Sequence, residues 1–257
     1  MTSQMIYTAL PGLPLIQPGD DLAAMILEGL ERTSLVLQNG DVLVVGQKVV
    51  SKAEARLINL EDVTPSAEAL LLAEETEKDP RLVEVILRES NHVVRKRVDL
   101  IIVEHKLGFI CANAGVDHSN VRGMGEKPSE WVSMLPENPD ASAQGIRQRI
   151  HDATGADIGV LIIDSQGRAW RLGTVGAVIG VAGFPALLDL RGRPDLYGDP
   201  LQTTQVGLAD EVAAAASVLM GQADECRPVI HVRGLPYDLR EGSLSEILRP
   251  KELDLFR

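Results

Sequence analysis

Ile158-Gly-Val-Leu-Ile-Ile-Asp-Ser-Gln-Gly-Arg168 is the stretch that decides the fold. Ile158 to Ile163 is apolar, rich in β-branched side chains and too short for a helix, so it predicts a buried strand. Asp164 to Gly167 has the composition of a turn, with Arg168 to Leu172 as hairpin partner. Outward from there, Asn39-Gly40-Asp41 is another turn, and Val42 to Val50 another near-continuous buried strand. Val98 to Val103 is a strand joined through Lys106-Leu107-Gly108 to Phe109–Ala112, and Val229 to Val232 is a short one. Asp20 and Asp21 precede Leu22, Met25, Ile26 and Leu30, the spacing of one helix face with acids at its positive end. Pro65 after Thr64 and Pro80 after Asp79 open two helices, running to about Lys78 and Glu89. Ser142 to Thr154 and Ala209 to Met220 are helices stopped by Gly155 and Gly221. Asn113 to Asp140 is a long polar loop, a length that is usually functional. Helices and strands mix without strict alternation, and no repeat, low-complexity tract or linker divides the chain. The expectation is one α+β or mixed α/β unit over residues 1–257, neither Rossmann nor P-loop.

With 257 residues the chain can bury a substantial core. Aromatics are 3%, so aliphatic residues must build that core. The net charge of −12 repels phosphate backbones and anionic lipid, which excludes nucleic acid and membrane as expected partners. Local Arg and Lys can still hold a small anion, because fields fade within a Debye length of about 8–10 Å. The longest apolar stretch, Thr174 to Leu190, contains Gly176, Gly180, Gly183 and Pro185 and falls short of the roughly 20 residues of a spanning helix. It reads as buried backbone. The N-terminus lacks a basic start followed by an apolar run, so no secretory signal is expected. Cys111 and Cys226 lie far apart, which disfavours zinc and disulfides and points to a reducing cytosol with two half-buried thiols.

Five clusters carry candidate chemistry. Gly12-Leu13-Pro14-Leu15-Ile16 offers backbone to a flat ring such as a base, or is a simple lead into a helix. Ser51-Lys52-Ala53-Glu54-Ala55-Arg56 follows a buried strand, where ligands of α/β proteins bind, and a lysine there can neutralise phosphate. As a solvated charged turn it needs no function. Asn113-Ala-Gly-Val-Asp117-His118-Ser-Asn120 supplies oxygen ligands of the kind Mg²⁺ and Mn²⁺ prefer. An Asx-stabilised turn explains it equally. Asp164 ends a very apolar strand, a frequent setting for metal-binding carboxylates, with Arg168 and Arg171 near enough to hold an anion. Met220 to Arg227 can wrap a nucleotide or just stop a helix. No GxxxxGK[ST], HExxH or strand-linked GxGxxG occurs, and the glycines from 173 to 183 match no dinucleotide fingerprint.

Taken in order, these strings resemble one family, the coenzyme F-420-0:L-glutamate ligases, also called gamma-glutamyl ligases. The matching segments are Gly-Leu-Pro-Leu-Ile (12–16), Pro-Gly-Asp-Asp-Leu (18–22), Ser-Lys-Ala-Glu (51–54) and Asn-Ala-Gly-Val-Asp-His-Ser-Asn (113–120). Asp-Ser-Gln-Gly-Arg (164–168), Asp-Leu-Tyr-Gly (195–198), Ala-Asp-Glu-Val (209–212), Leu-Met-Gly (219–221) and Val-Arg-Gly-Leu (232–235) complete them. The resemblance implies a GTP-dependent, amide-forming ligase. It would attach L-glutamate to the lactate-derived carboxylate of the deazaflavin precursor through an acyl phosphate, then add glutamates by γ-links. It implies Mg²⁺ or Mn²⁺ with K⁺ as an aid, a homodimer, and a cytoplasmic location. Carried over by motif, Leu13, Pro14, Leu15, Ile16, Gln47, Lys48, Lys52, Asn120 and Met220, Gly221, Gln222, Ala223, Asp224, Glu225, Cys226 and Arg227 contact GTP. Asp117 and Asp164 ligate one divalent metal and Ser165 a second; Asp117, Asp164 and Lys52 are the catalytic candidates. Residues Val121 to Asp140 are a candidate lid. Three positions depart from the family pattern: Ala55 stands where Gly is usual, Gln47-Lys48 replaces smaller residues, and Gln222 stands where Glu is frequent. Some relatives append a nitroreductase-like domain; this chain ends at Arg257 and is not expected to reduce the deazaflavin by itself. The alternatives are a metal-dependent phosphotransferase and a non-catalytic deazaflavin- or nucleotide-binding protein.

Overall fold

The computed structural model of the protein describes residues 4–121 and 130–255. Its central sheet has five strands in the order β1 (Ile6–Ala9), β12 (Val229–Arg233), β2 (Val42–Gly46), β8 (Gly159–Arg168) and β9 (Arg171–Ala182). β2 and β8 run parallel, with Gly46 opposite Ile163; the other pairings are antiparallel. Both faces are covered, which is why the strands read as continuous apolar runs. Leu43, Val45, Val160 and Ile162 pack against α1 (Leu22–Arg32) and α5 (Pro139–Thr154). Val42, Val44, Leu161, Ile163 and Ile230 pack against α6 (Leu208–Met220). A register shift beside Ile162/Ile163 lets helices approach β9 closely at two glycines. A Cβ on Gly176 would lie 2.6 Å from the Ala213 carbonyl of α6, and one on Gly180 would lie 2.5 Å from the Pro139 carbonyl of α5. The glycines of that segment are helix-packing sites, and the segment is largely strand β9.

A second core joins α3 (Ala67–Thr76), α4 (Pro80–Arg88) and a three-stranded sheet of β4 (Ser90–Arg97), β5 (Leu100–His105) and β6 (Ile110–Ala112). Small pairs β3 (Leu57–Asn59) with β7 (Trp131–Ser133), and β10 (Leu188–Asp189) with β11 (Gln205–Val206), complete the elements. The mixed α+β architecture agrees with the expectation.

Several local expectations are corrected. The strand from Val42 ends at Gly46, and α2 (Gln47–Ala53) begins there, because side-chain periodicity cannot distinguish a strand from a helix through Val49-Val50. Ser66, not Thr64, caps α3 through Ala69 N–H. Strand β5 starts at Leu100, after a turn at Val98-Asp99, and β4 before it was missed because its side chains are largely polar and exposed. The loop from Asn113 contains β7, and α5 starts at Pro139 with Asn138 as cap. Asp164 to Gly167 is strand rather than turn: β8 runs on to Arg168, and Trp170 turns the hairpin with φ +60°. The thiols are not half-buried alike: Cys111 is buried and Cys226 exposed. Of the candidate lid, residues 122–129 lie outside the described residues.

Candidate active site

The C-terminal ends of parallel β2 and β8 open onto a cavity of about 890 Å³. Its walls come from the segment 13–18, helix α2, the segment 111–121, the strand end 163–167 and the loop 220–228. Every residue carried over from the family motifs as a nucleotide or metal contact lies in this wall, from Leu13–Ile16 through Gln47, Lys48, Lys52, Asp117, Asn120, Asp164 and Ser165 to Met220–Arg227. His118 is not part of it. Arg168 and Arg171 are exposed at the far end of the β8–β9 hairpin and do not reach it, a consequence of the strand continuing past Asp164.

Helix α2 places Lys48 and Lys52 one turn apart, on one face. Lys48 Nζ donates to Asp117 Oδ2 at 2.6 Å, and Lys52 Nζ to the Asn120 carbonyl at 2.7 Å. Ser119 N–H and Oγ each donate to Asp117 at 2.7 Å. Asn120 Nδ2 donates to the Ala223 carbonyl at 3.1 Å, tying this loop to the one after α6. In that second loop Glu225 folds back and accepts from Ala223 N–H at 2.8 Å. Its carboxylate fills the space a side chain at Gly221 would occupy, with a Cβ only 2.2 Å away. Gly46, which no sequence motif marks, lets Met220 Sδ approach to 3.2 Å of where a Cβ would stand.

The two aspartates are pushed in opposite directions. Burial works against ionisation of Asp117, but Lys48 and Ser119 outweigh it and hold its carboxyl below the usual range. Burial pushes the Asp164 carboxyl up, and the negative charge of Asp117 pushes the same way. Ser165 N–H, Lys48 and the Gln47 amide oppose this without cancelling it. Gln47 is held by Ser51 Oγ, which donates to its Oε1 at 2.8 Å and leaves the amide nitrogen to face Asp164. Burial, then Lys48, depress Lys52. The Cys111 thiol, buried beside Asp164, is pushed up to about 12 by burial first and Asp164 second, so it is an inert wall.

Among the described residues no group of three or more His, Cys, Asp or Glu side chains forms a metal cage. Asp117 and Asp164 are the carboxylates that line the cavity wall beside the lysines, and Mg²⁺ as a rule takes one or two carboxylates with phosphates and water. Asp164, destabilised as an anion by its neighbour, is the group a divalent cation would relieve. Ser165 Oγ donates to Gln222 Oε1 at 2.6 Å, so the hydroxyl proposed for a second metal is engaged with the position that departs from the family pattern.

A mixed sheet whose strand ends, with helix α2 and two loops, gather two carboxylates and two lysines around one cavity has the form of an α+β enzyme. Residues 12–234 match the family described as F420-0:Gamma-glutamyl ligase. The chain is 48% identical to the coenzyme F420:L-glutamate ligase of Methanothermobacter thermautotrophicus, over 96% of each chain. It is 48% identical to that of Methanopyrus kandleri over 94% of this chain and 93% of the relative, and 35% identical to that of Methanosarcina mazei over 97% and 94%. The chain belongs to the F420-0:gamma-glutamyl ligase family, and its class is that of the amide-forming ligases.

Proposed function

We propose that this protein joins L-glutamate, through its amine, to the lactyl carboxylate of F420-0 in a GTP-dependent reaction, and then extends the tail by γ-links. The observation that carries this is the convergence of five sequence-distant motifs on one cavity whose polar end holds Asp117, Asp164, Lys48 and Lys52. Its volume suits a nucleotide and part of a second substrate. Leu13 to Ile16 face the base, and the 220–227 loop wraps the nucleotide. Lys48 and Lys52 neutralise phosphate oxygens, so that an anionic carboxylate can approach the γ-phosphate. The resulting acyl phosphate survives only where water is kept out, and the loops tied together by Asn120 and Ala223 enclose it. Asp117 and Asp164 would hold Mg²⁺ or Mn²⁺ and Ser165 a second ion; such ions supply charge neutralisation and alignment of the transferred phosphoryl group. K⁺ is an expected aid. The protein acts as a single ligase domain, in a cytoplasmic homodimer; no described helix is long and apolar enough to cross a membrane.

Mass spectrometry of F420-0 incubated with GTP, Mn²⁺ and glutamate tests the reading. A product heavier by one or more glutamyl units, with matching GDP, is expected. No new amide would sink it, and phosphate release independent of glutamate would favour a phosphotransferase.

A further inference from the structure

Lys48 is saturated by the very group that the proposed reaction needs for a metal. Its ammonium donates to Asp117 Oδ2 at 2.6 Å, to the Ser119 carbonyl at 2.7 Å and to Ser119 Oγ at 2.9 Å. An ammonium has three donors, so these contacts use its whole capacity. Asp164 lies within its field as well. One positive charge of the protein therefore pairs with Asp117 and is felt by Asp164. Lys52, one helical turn away, does not share this position: its ammonium donates to the Asn120 carbonyl.

We propose that Lys48 is an internal counter-ion of Asp117 that must leave for the metal to bind, and that nucleotide phosphate is what receives it. The inference rests on the metal- and GTP-dependent reading above. A divalent cation on Asp117 would face an ammonium a few ångströms away in a half-buried site, where like charges repel strongly. The four-carbon stem of lysine lets its head group move without any backbone change. Phosphate oxygens on the same side of α2 give it a new partner. Metal alone then binds weakly, nucleotide alone leaves Asp117 without its cation, and the two together satisfy every charge. Metal and nucleotide affinities become coupled, and the coupling is reciprocal. Such coupling keeps the cavity from filling with metal before the nucleotide is in place.

Mn²⁺ binding to the full chain, followed by electron paramagnetic resonance of the free ion, tests this. It is measured with and without saturating GTP for the native protein, Lys48→Met and Lys52→Met. Without nucleotide, Lys48→Met is expected to bind Mn²⁺ about fivefold to twentyfold more tightly than the native protein, the range of ordinary site–site coupling. The gain that GTP gives to Mn²⁺ affinity should shrink by the same factor. Lys52→Met removes a cation that does not touch Asp117 and should not tighten Mn²⁺ in the absence of nucleotide. If Lys48→Met does not fold, Lys48→Gln removes the charge while keeping a hydrogen-bond donor and is expected to behave alike. Equal Mn²⁺ affinity in the native protein and the Lys48 variant overturns the proposal, as does an equal gain in Lys52→Met. No Mn²⁺ uptake by the native protein even with GTP would instead overturn the metal-dependent reading itself, and the counter-ion role with it.

Discussion

At the N-terminal end of β2, Asp41 is 1% exposed and held by donors of the protein's own. Arg233 donates to both its oxygens, at 2.8 and 2.6 Å, Gln38 N–H donates at 2.8 Å, and His231 Nε2 lies 2.9 Å away. Burial opposes its ionisation, yet these partners win and its carboxyl stays below the usual range. Past the C-terminal end of β2, on its parallel neighbour β8, Asp164 has burial and a second carboxylate against it, and its carboxyl is pushed above that range. The backbone differs in the same sense. The turn before Asp41 uses a glycine, Gly40, for its left-handed residue, whereas around the cavity Ala55, Asn113, Ala114, Asn120 and Cys226 all take positive φ. At one end the carboxylate is compensated by Arg233 and Gln38. The other keeps an uncompensated carboxylate and strained backbone, the combination expected where a ligand completes the structure.

The largest effect should come from Asp164→Asn. Losing one carboxylate ligand of the proposed metal is expected to cut ligase turnover about a hundredfold to a thousandfold, the scale seen when one electrostatic stabiliser is removed. Stability should move the other way. A carboxyl whose folded pKa is raised contributes stability below its unfolded pKa, and loses it as pH rises through the folded one. Above its folded pKa the native protein carries the cost of a buried anion, and there the asparagine variant should melt at the same temperature or higher without metal. Added Mn²⁺ with GTP should raise the melting temperature of the native protein, and EDTA should reverse this, with little response in the variant. A variant that melts lower and still responds to Mn²⁺ would erase the contrast between the two ends.

Asp41→Asn is the reverse case. Removing one member of a buried pair leaves Arg233 and His231 facing a neutral group, at a cost of about 3 kcal/mol, measurable by urea denaturation. Turnover per folded molecule should stay within about twofold, since the site is a strand's length away, ~16 Å at the usual rise. The folded pKa of Asp41 is lowered, so its stabilisation is present above the unfolded carboxyl range and is lost as pH falls through the folded value. The variant should lack that component of acid unfolding below about pH 4.

A smaller change is expected from Gln222→Glu. An anionic acceptor beside Ser165 Oγ should tighten a second Mn²⁺ about threefold to tenfold, because charge on the ligands tunes such sites. GTP affinity without metal should not rise. An unchanged Mn²⁺ stoichiometry and affinity would remove Ser165 from the metal site.

Both ends of β2 were visible in the sequence, but unequally. The apolar runs at Val42 and Ile158 gave strands, since a strand buried on both faces needs little else. The motif strings from Leu13 to Arg227 gave the cavity wall, because residues that converge on one ligand keep a recognisable order. What the sequence concealed was three-dimensional. Asp41 looked like a turn residue, because Arg233 and His231 reach it from β12, far along the chain. Asp164 looked like a turn residue as well, because a polar strand edge lining a cavity has turn composition. The glycines of β9 matched no motif, because they serve the approach of α5 and α6 rather than any ligand. Lys48 was one of several cations near the site until its contacts with Asp117 and Ser119 singled it out.

Ala55→Gly carries the smallest expected effect and isolates the strain at the cavity end. Ala55 follows α2 with φ +56°, a conformation that costs an L-residue about 1–2 kcal/mol. Glycine takes it freely but loses more freedom on folding, by roughly 0.5–1 kcal/mol. The difference predicts a net gain of about 0.5–1 kcal/mol in unfolding free energy, readable as a rise in the urea midpoint. Neither Lys48 nor Lys52 depends on the Ala55 side chain, so GTP affinity should stay as it is. If the glycine variant were less stable, the left-handed turn after α2 would be imposed by the packing of Arg56, which donates to the Leu135 carbonyl at 2.9 Å and pairs with Glu89 at 2.6 Å. Arg56→Ala in the Ala55→Gly background then separates the two causes. Relief of local strain predicts that the gain persists when Arg56 is cut back, and imposed strain predicts that it appears only then.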